Sequence, residues 1–190
     1  MTIWSWLAVA YALASRLAYV GWVGRVLRQQ DAHQVLTKLD GLDAGYRRFR
    51  RRATILMRND AFSIVLLCVM TRSTLNFPVP RAVTLVIAGL LVIVGLGTKL
   101  WAAQTLGDGA YYWRNFFDPH EHAPPNPPGP YRYLDDPMYT VGYLHAYGLA
   151  LAFGSGAGLA VALFDQLAIL AFHSLVEKPH YDRLTRSNNR

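Results

Sequence analysis

VTLVIAGLLVIVGLGTKLWAAQTL, residues 83–106, decides the fold. Its one charge is Lys99. A helix rises 1.5 Å per residue, so this stretch reaches about 36 Å, more than the roughly 30 Å hydrocarbon core of a bilayer. Pro78 and Pro80 break the chain before it, and Leu106-Gly107-Asp108 closes it. Gly89, Gly95 and Gly97 suit close helix packing in a membrane.

Working outward, Ile3 to Val23 forms another apolar block, interrupted by Arg16, which either snorkels or faces a polar interior. Ala8, Ala10, Ala12, Ala14 and Ala18 allow close packing there. The block reads as a retained anchor rather than a cleaved leader. Ala61 to Met70 covers only half a bilayer and spans only if Ile55–Met57 or Leu75–Val79 extend it. Between these blocks, residues 25–60 read as a basic cytosolic loop. Its Arg47–Arg52 cluster is the strongest positive-inside signal in the chain and a place for anionic lipid headgroups.

Toward the C-terminus, Met138–Phe153 and Leu159–Val176 are apolar arms joined by Gly154, Ser155, Gly156 and Gly158, a helical hairpin. The expected fold is an all-α polytopic membrane helix bundle: three spans plus a C-terminal transmembrane helical hairpin. Residues 1–82 form the anchor helices with the basic loop, and residues 83–190 form the core. The 190 residues, 53% of them hydrophobic, suit one domain. The net charge of +7 flanks the apolar blocks and accompanies no nucleic-acid recognition motif, so it reads as membrane orientation. Cys68, the lone cysteine, excludes an intramolecular disulfide and reads as a small buried hydrophobe. If residues 25–60 are cytosolic, two crossings return the chain to that side at Gly107, and the hairpin returns it again at Glu177.

Three polar pieces therefore meet on one face: Leu106-Gly107-Asp108, then Gly129-Pro130-Tyr131-Arg132-Tyr133 running to Asp136-Pro137-Met138-Tyr139, and Glu177-Lys178-Pro179-His180. Pro124, Pro125, Pro127, Pro128 and Pro130 forbid regular helix over much of the segment between the spans. His120, Glu121 and His122 have a spacing that fits no closed metal site and read as a solvated loop. His145, Asp165, Gln166 and His173 lie in apolar segments, where a structural hydrogen bond is the commoner role.

With Gly95-Leu96-Gly97 added, these motifs resemble the membrane methyltransferase superfamily of phospholipid N-methyltransferases and isoprenylcysteine carboxyl methyltransferases. They are closest to its phosphatidylethanolamine branch, and the resemblance covers about residues 83–184. The chain departs from the pattern in two places: Asp136 stands where the family often has His, and the paired acids become Glu177 with Lys178. The resemblance implies an S-adenosyl-L-methionine cofactor held by Gly95, Gly97, Gly129, Pro130, Tyr131, Tyr139, Glu177 and Lys178. No metal is expected, since the His and acidic residues have no spacing that fits a closed site. A lipid substrate would arrive from the bilayer, with Arg132 on its phosphate and Tyr143 and His145 beside it. Asp136, Tyr139 and His180 are the candidate catalytic groups, and the base stays open among Asp136, Glu177, His145, His173 and His180.

The function so implied is N-methylation of phosphatidylethanolamine or its partly methylated forms toward phosphatidylcholine, a step of phospholipid biosynthesis. The membrane would be a bacterial inner membrane or an endoplasmic reticulum, with the active site on the cytosolic face. The alternatives are a methyltransferase for a prenylcysteine carboxylate or a small thiol, and a non-enzymatic scaffold or transporter.

Overall fold

The computed structural model describes residues 2–76, 78–118 and 129–188. The prolines at 124–128 and the His120-Glu121-His122 group lie outside them. The described chain is an all-α polytopic membrane bundle with no strand among the described residues. Its helices are α1 (Ile3–His33), α2 (Val35–Asp40), α3 (Leu42–Met70), α4 (Arg81–Tyr111), α5 (Leu144–Phe153), α6 (Gly156–Phe172) and α7 (Lys178–Asn188). Among the described residues, four stretches are long and apolar enough to cross a membrane: Ile3–His33, Leu42–Met70, Arg81–Phe116 and Gly156–Leu184.

Residues 25–60 are largely helical, not a loop. The end of α1, all of α2 and the start of α3 occupy them. The reason is a buried stripe hidden among the arginines: Tyr46, Phe49 and Ala53 are all buried, and their spacing puts them on one helix face. Arginine is itself a good helix former. The second span therefore runs the whole way from Leu42 to Met70.

In α4, Gly107 takes φ 73°, which stops the helix at the predicted Leu106 boundary before one more turn. The C-terminal hairpin turns where its glycines lie. Gly154 takes φ 60°, and the Ser155 side chain caps α6 by accepting from the Gly158 N–H at 2.8 Å.

α5 has 10 residues, about half a span. It packs backbone-close on α4. A Cβ at Gly148 would lie 2.7 Å from the Ala88 carbonyl oxygen, and one at Gly95 would strike the His145 amide nitrogen. Small residues at both points bring the two helices together. Because α5 is short, the turn before it lies inside the bundle. Irregular backbone is tolerated at such depth only where protein surrounds it.

From α6 the chain passes through a π turn, His173–Glu177, into α7. Pro179 follows that turn. It has no N–H to give to the Leu175 carbonyl, and Arg28 Nη2 donates to that oxygen instead, at 3.2 Å. One end of the bundle is tied by polar contacts: Arg50–Asp108 at 2.6 Å, Arg114–Asp43 at 3.3 Å, and Asp31 with both His180 and Arg183. The polar motifs gather at this end.

Candidate active site at Glu177

Glu177 is 5% exposed and engaged on both oxygens. Oε1 accepts from the Trp113 indole N–H and from the Tyr139 hydroxyl, the latter at 3.0 Å. Oε2 lies 2.6 Å from His173 Nδ1. His173 Nε2 in turn lies 3.2 Å from Asp136 Oδ1. Two carboxyl groups thus bracket one imidazole. Burial raises the Asp136 carboxyl above the usual carboxylate range against the pull of His173, with Glu177 and Asp135 adding to the rise. A π turn is rare and recurs at functional sites; here it carries both His173 and Glu177.

Each partner is fixed by its own surroundings. Trp113 adopts φ 56°, an uncommon conformation for a bulky residue and one held where the surroundings demand it. Its ring packs edge-on against Phe49 and Phe172, with centroids at 6.2 and 5.7 Å. Gln166 Nε2 donates to the Tyr139 carbonyl at 3.0 Å. The Asp136 carbonyl accepts from the Tyr139 and Thr140 amides at 3.1 and 3.0 Å, closing the turn. Burial raises the Tyr139 phenol well above its ordinary value, and its neighbour Glu177 adds to this. The Tyr131 phenol is raised by burial, with Tyr181, Glu177 and Asp136 nearby.

The structure gathers some of the expected residues and separates others. Tyr139 and Glu177 meet directly and Asp136 joins them through His173, with Tyr131 nearby. Gly129, at φ 72°, leaves no room for a Cβ, which would meet the Trp101 indole nitrogen at 3.0 Å and the Thr105 hydroxyl closer still; Pro130 behind it is buried. Gly95 is filled by the α5 backbone, whereas Gly97 is exposed with nothing within 4 Å of a Cβ. Two residues apart on a helix, they face opposite ways.

Arg132 and Lys178 are exposed. His180 turns from Glu177 to Asp31, 2.8 Å away, and stacks on Phe116 at 3.7 Å. Tyr143 and His145 line a cavity of about 110 Å³ in the heart of the bundle, whose wall includes Trp113 and Tyr139.

His173 and Trp113 are central to the geometry; the sequence offers His173 only as one of five possible bases and gives Trp113 no place in the site. The signal for His173 was its i, i+4 spacing to Glu177; Trp113 carried none.

A membrane bundle whose half-length helix and π turn enclose a carboxylate–imidazole–carboxylate array is the class defined so far. The phospholipid methyltransferase family matches residues 83–186, and the chain belongs to that family. It is 35% identical over 101 residues, 53% of its length, to a phosphatidylethanolamine N-methyltransferase of Clavispora lusitaniae, covering 12% of that protein. It is 31% identical over 140 residues, 71% of its length, to the enzyme of that name from Aspergillus flavus, covering 14% of it. For the one from Candida dubliniensis the figures are 28% over 144 residues, 72% of the chain and 16% of the relative. The chain thus spans between about an eighth and a sixth of the length of these curated relatives. No solved structure matches it significantly.

Proposed function

We propose that the chain is an integral membrane S-adenosylmethionine-dependent methyltransferase. Its acceptor is the amine of phosphatidylethanolamine or of its partly methylated forms, and its site lies on the cytosolic face. The observation that carries this reading is the meeting of the 129–139 turn with Glu177 at Tyr139. Membership of the phospholipid methyltransferase family and the names of the relatives support the amine acceptor over a carboxylate or a thiol.

The residues present fit the donor. Each carboxylate oxygen has two lone pairs, and among the described residues Glu177 Oε2 faces only His173, so it can take a hydrogen bond from the donor's amino group or ribose. The rings of Tyr131, Tyr139 and Trp113 suit a sulfonium, an attraction of about 2 kcal/mol when water is excluded. The backbone N–H groups of the 129–131 turn can hold the donor carboxylate. Lys178, at the exposed side of the same turn of helix, adds a positive charge for it. Gly95 acts by setting how near α5, and so the Tyr139 turn, comes to α4. The bound donor supplies an electrophilic methyl group.

The acceptor is an ammonium at neutral pH, with an ordinary pKa near 10, so it must lose a proton before it can attack. Asp136, His173 and Glu177 are in contact and can pass a proton among them. Exclusion of water by the surrounding aromatics disfavours the charged amine. Holding amine and methyl in line supplies much of the acceleration, several kcal/mol by the usual effect of orientation. Arg132, exposed and with no ion pair among the described residues, is available to phosphates at the bilayer surface, where the lipid enters. The Arg47–Arg52 cluster attracts anionic headgroups around the protein.

The test is methyl transfer from labelled S-adenosylmethionine by the purified chain in phosphatidylethanolamine nanodiscs. Label in mono- and dimethylated lipid is expected. No label in any amine lipid removes the reading.

A further inference from the structure

The cavity of about 110 Å³ has a charged wall that the Glu177 site does not use. Arg16 of α1 pairs with Asp60 of α3 at 2.7 Å and with Asp165 of α6 at 3.2 Å. All three are more than nine-tenths buried, at 6, 5 and 3% exposure. One guanidinium thus serves two carboxylates. Asp60 Oδ1 takes part in neither pair and accepts no hydrogen bond among the described residues, whereas Asp165 Oδ1 has the Arg16 Nε contact. A buried charge of this kind is costly unless it is compensated.

Lys99 of α4 lines the same cavity. Among the described residues it makes no ion pair or hydrogen bond; its Nζ lies 5.9 Å from the Tyr143 ring centroid, within electrostatic reach of Asp60 and Arg16. The same ring lies 5.8 Å from the Arg16 guanidinium, and Tyr19 flanks Arg16 at 5.5 Å. So one small chamber holds two carboxylates sharing one guanidinium, with an oxygen of Asp60 to spare, and, beside an aromatic ring, an ammonium that forms no ion pair among the described residues. Charged groups inside a membrane bundle are functional-site candidates by default.

We propose that this chamber binds the zwitterionic phosphoamine headgroup of a phospholipid. The ammonium goes to the spare oxygen of Asp60, on the side that Asp165 also makes negative, and the phosphate goes to Lys99. The pattern matches a zwitterion and no simpler ion. An anionic headgroup satisfies Lys99 but leaves the carboxylates wanting, and a free cation does the reverse. Tyr19 and Tyr143 suit an amine that loses N–H donors as it gains methyl groups, because ring faces attract methylated ammonium without hydrogen bonds. Trp113 and Tyr139 belong to the cavity wall and also touch Glu177, so the headgroup chamber and the donor site share a boundary. Arg16 and Asp60 lie outside the family-matched residues 83–186. The two N-terminal helices therefore complete the acceptor site rather than merely anchor it. The inference rests on the methyltransferase reading for its place in catalysis, but not for its geometry.

The test uses the full chain in dodecyl maltoside and reads thermal stabilisation by dihexanoyl-phosphatidylethanolamine, by dihexanoyl-phosphatidylglycerol, which lacks the amine, and by S-adenosylhomocysteine. The amine lipid is expected to raise the melting temperature and the amine-free lipid to do so far less. Lys99→Met and Asp165→Asn should each raise the half-saturating concentration of the amine lipid at least tenfold and leave the S-adenosylhomocysteine shift in place, and Lys99→Arg should restore it. If Asp165→Asn shows no cooperative melt, the Lys99 pair decides. Equal shifts by both lipids, or an unchanged amine-lipid response in Lys99→Met, overturn the assignment. Methyl transfer separates the two readings. Wild-type transfer with an unchanged KM in Lys99→Met sinks the chamber and keeps the enzyme. A headgroup-specific shift with no transfer to any lipid sinks the enzyme and keeps the chamber.

Discussion

The Tyr139 hydroxyl donates to Glu177 Oε1 at 3.0 Å, joining the turn ahead of α5 to the π turn after α6. With Trp113 and His173 on the same carboxylate, Glu177 holds three segments together. Glu177→Gln sets an amide N–H against at least one donor. It should abolish stabilisation by S-adenosylhomocysteine and lower the stability of the unliganded protein by about 2 kcal/mol, the worth of hydrogen bonds to a buried charge. Tyr139→Phe removes one donor only and should cost about 1 kcal/mol, with the S-adenosylhomocysteine shift reduced but present. Thermal melts in detergent with and without that ligand read both. A full ligand shift in Glu177→Gln excludes the carboxylate from the donor site.

Gly95 and Gly97 separate packing from ligand contact. A Cβ at 95 strikes the His145 backbone, whereas one at 97 meets nothing within 4 Å. Gly95→Ala should push α5 off α4, destabilise by about 2 kcal/mol, as overpacking does, and reduce methyl transfer with it. Gly97→Ala should leave the melting temperature unchanged or slightly higher, since alanine is the better helix former. If Gly97→Ala melts like the wild type but no longer responds to S-adenosylhomocysteine, Gly97 contacts the donor directly.

Much of this arrangement was legible, and the exceptions have physical reasons. The third span, the hairpin turn at Gly154 and Ser155, and the meeting of the 129–139 turn with residue 177 followed from apolar length, glycine placement and motif order. The start of α3 did not. Its arginines outweighed the Tyr46, Phe49 and Ala53 stripe in any reading by polarity, although the i, i+3, i+7 spacing was there to see. The π turn has no sequence signature. Arg16, Asp60 and Asp165 were visible as isolated charges near or within apolar blocks. Their mutual contact is tertiary and depends on the register of three helices.

Asp136 gives the chain a pH signature. Burial raises its pKa from the ordinary 3.8. The folded state therefore holds the proton at pH values where the unfolded chain has released it, and stability falls as pH rises from 3.8 through the raised value. Asp136→Asn cannot titrate. The difference in melting temperature, wild type minus variant, should shrink with rising pH across that window and level off above it. A difference that grows with pH reverses the sign and shows instead that His173 holds Asp136 as a carboxylate.

Pro179 and Arg28 form the last testable pair. Proline cannot donate to the Leu175 carbonyl, and Arg28 donates there at 3.2 Å from another helix. Arg28→Ala removes that donor, and the loss of this exposed hydrogen bond should cost about 1 kcal/mol. In a Pro179→Ala background the chain regains an N–H at 179 that can close an ordinary i to i+4 bond, so the same Arg28→Ala should cost little. The double-mutant cycle should show a coupling of about 1 kcal/mol, the size found for contacting residues. Pro179→Ala should also let the π turn relax toward α-helix, which rotates Glu177 relative to Tyr139 and lowers methyl transfer more than stability. Additive melting shifts in the cycle separate Arg28 from the proline. Unchanged transfer in Pro179→Ala shows that the π turn does not set the aim of Glu177.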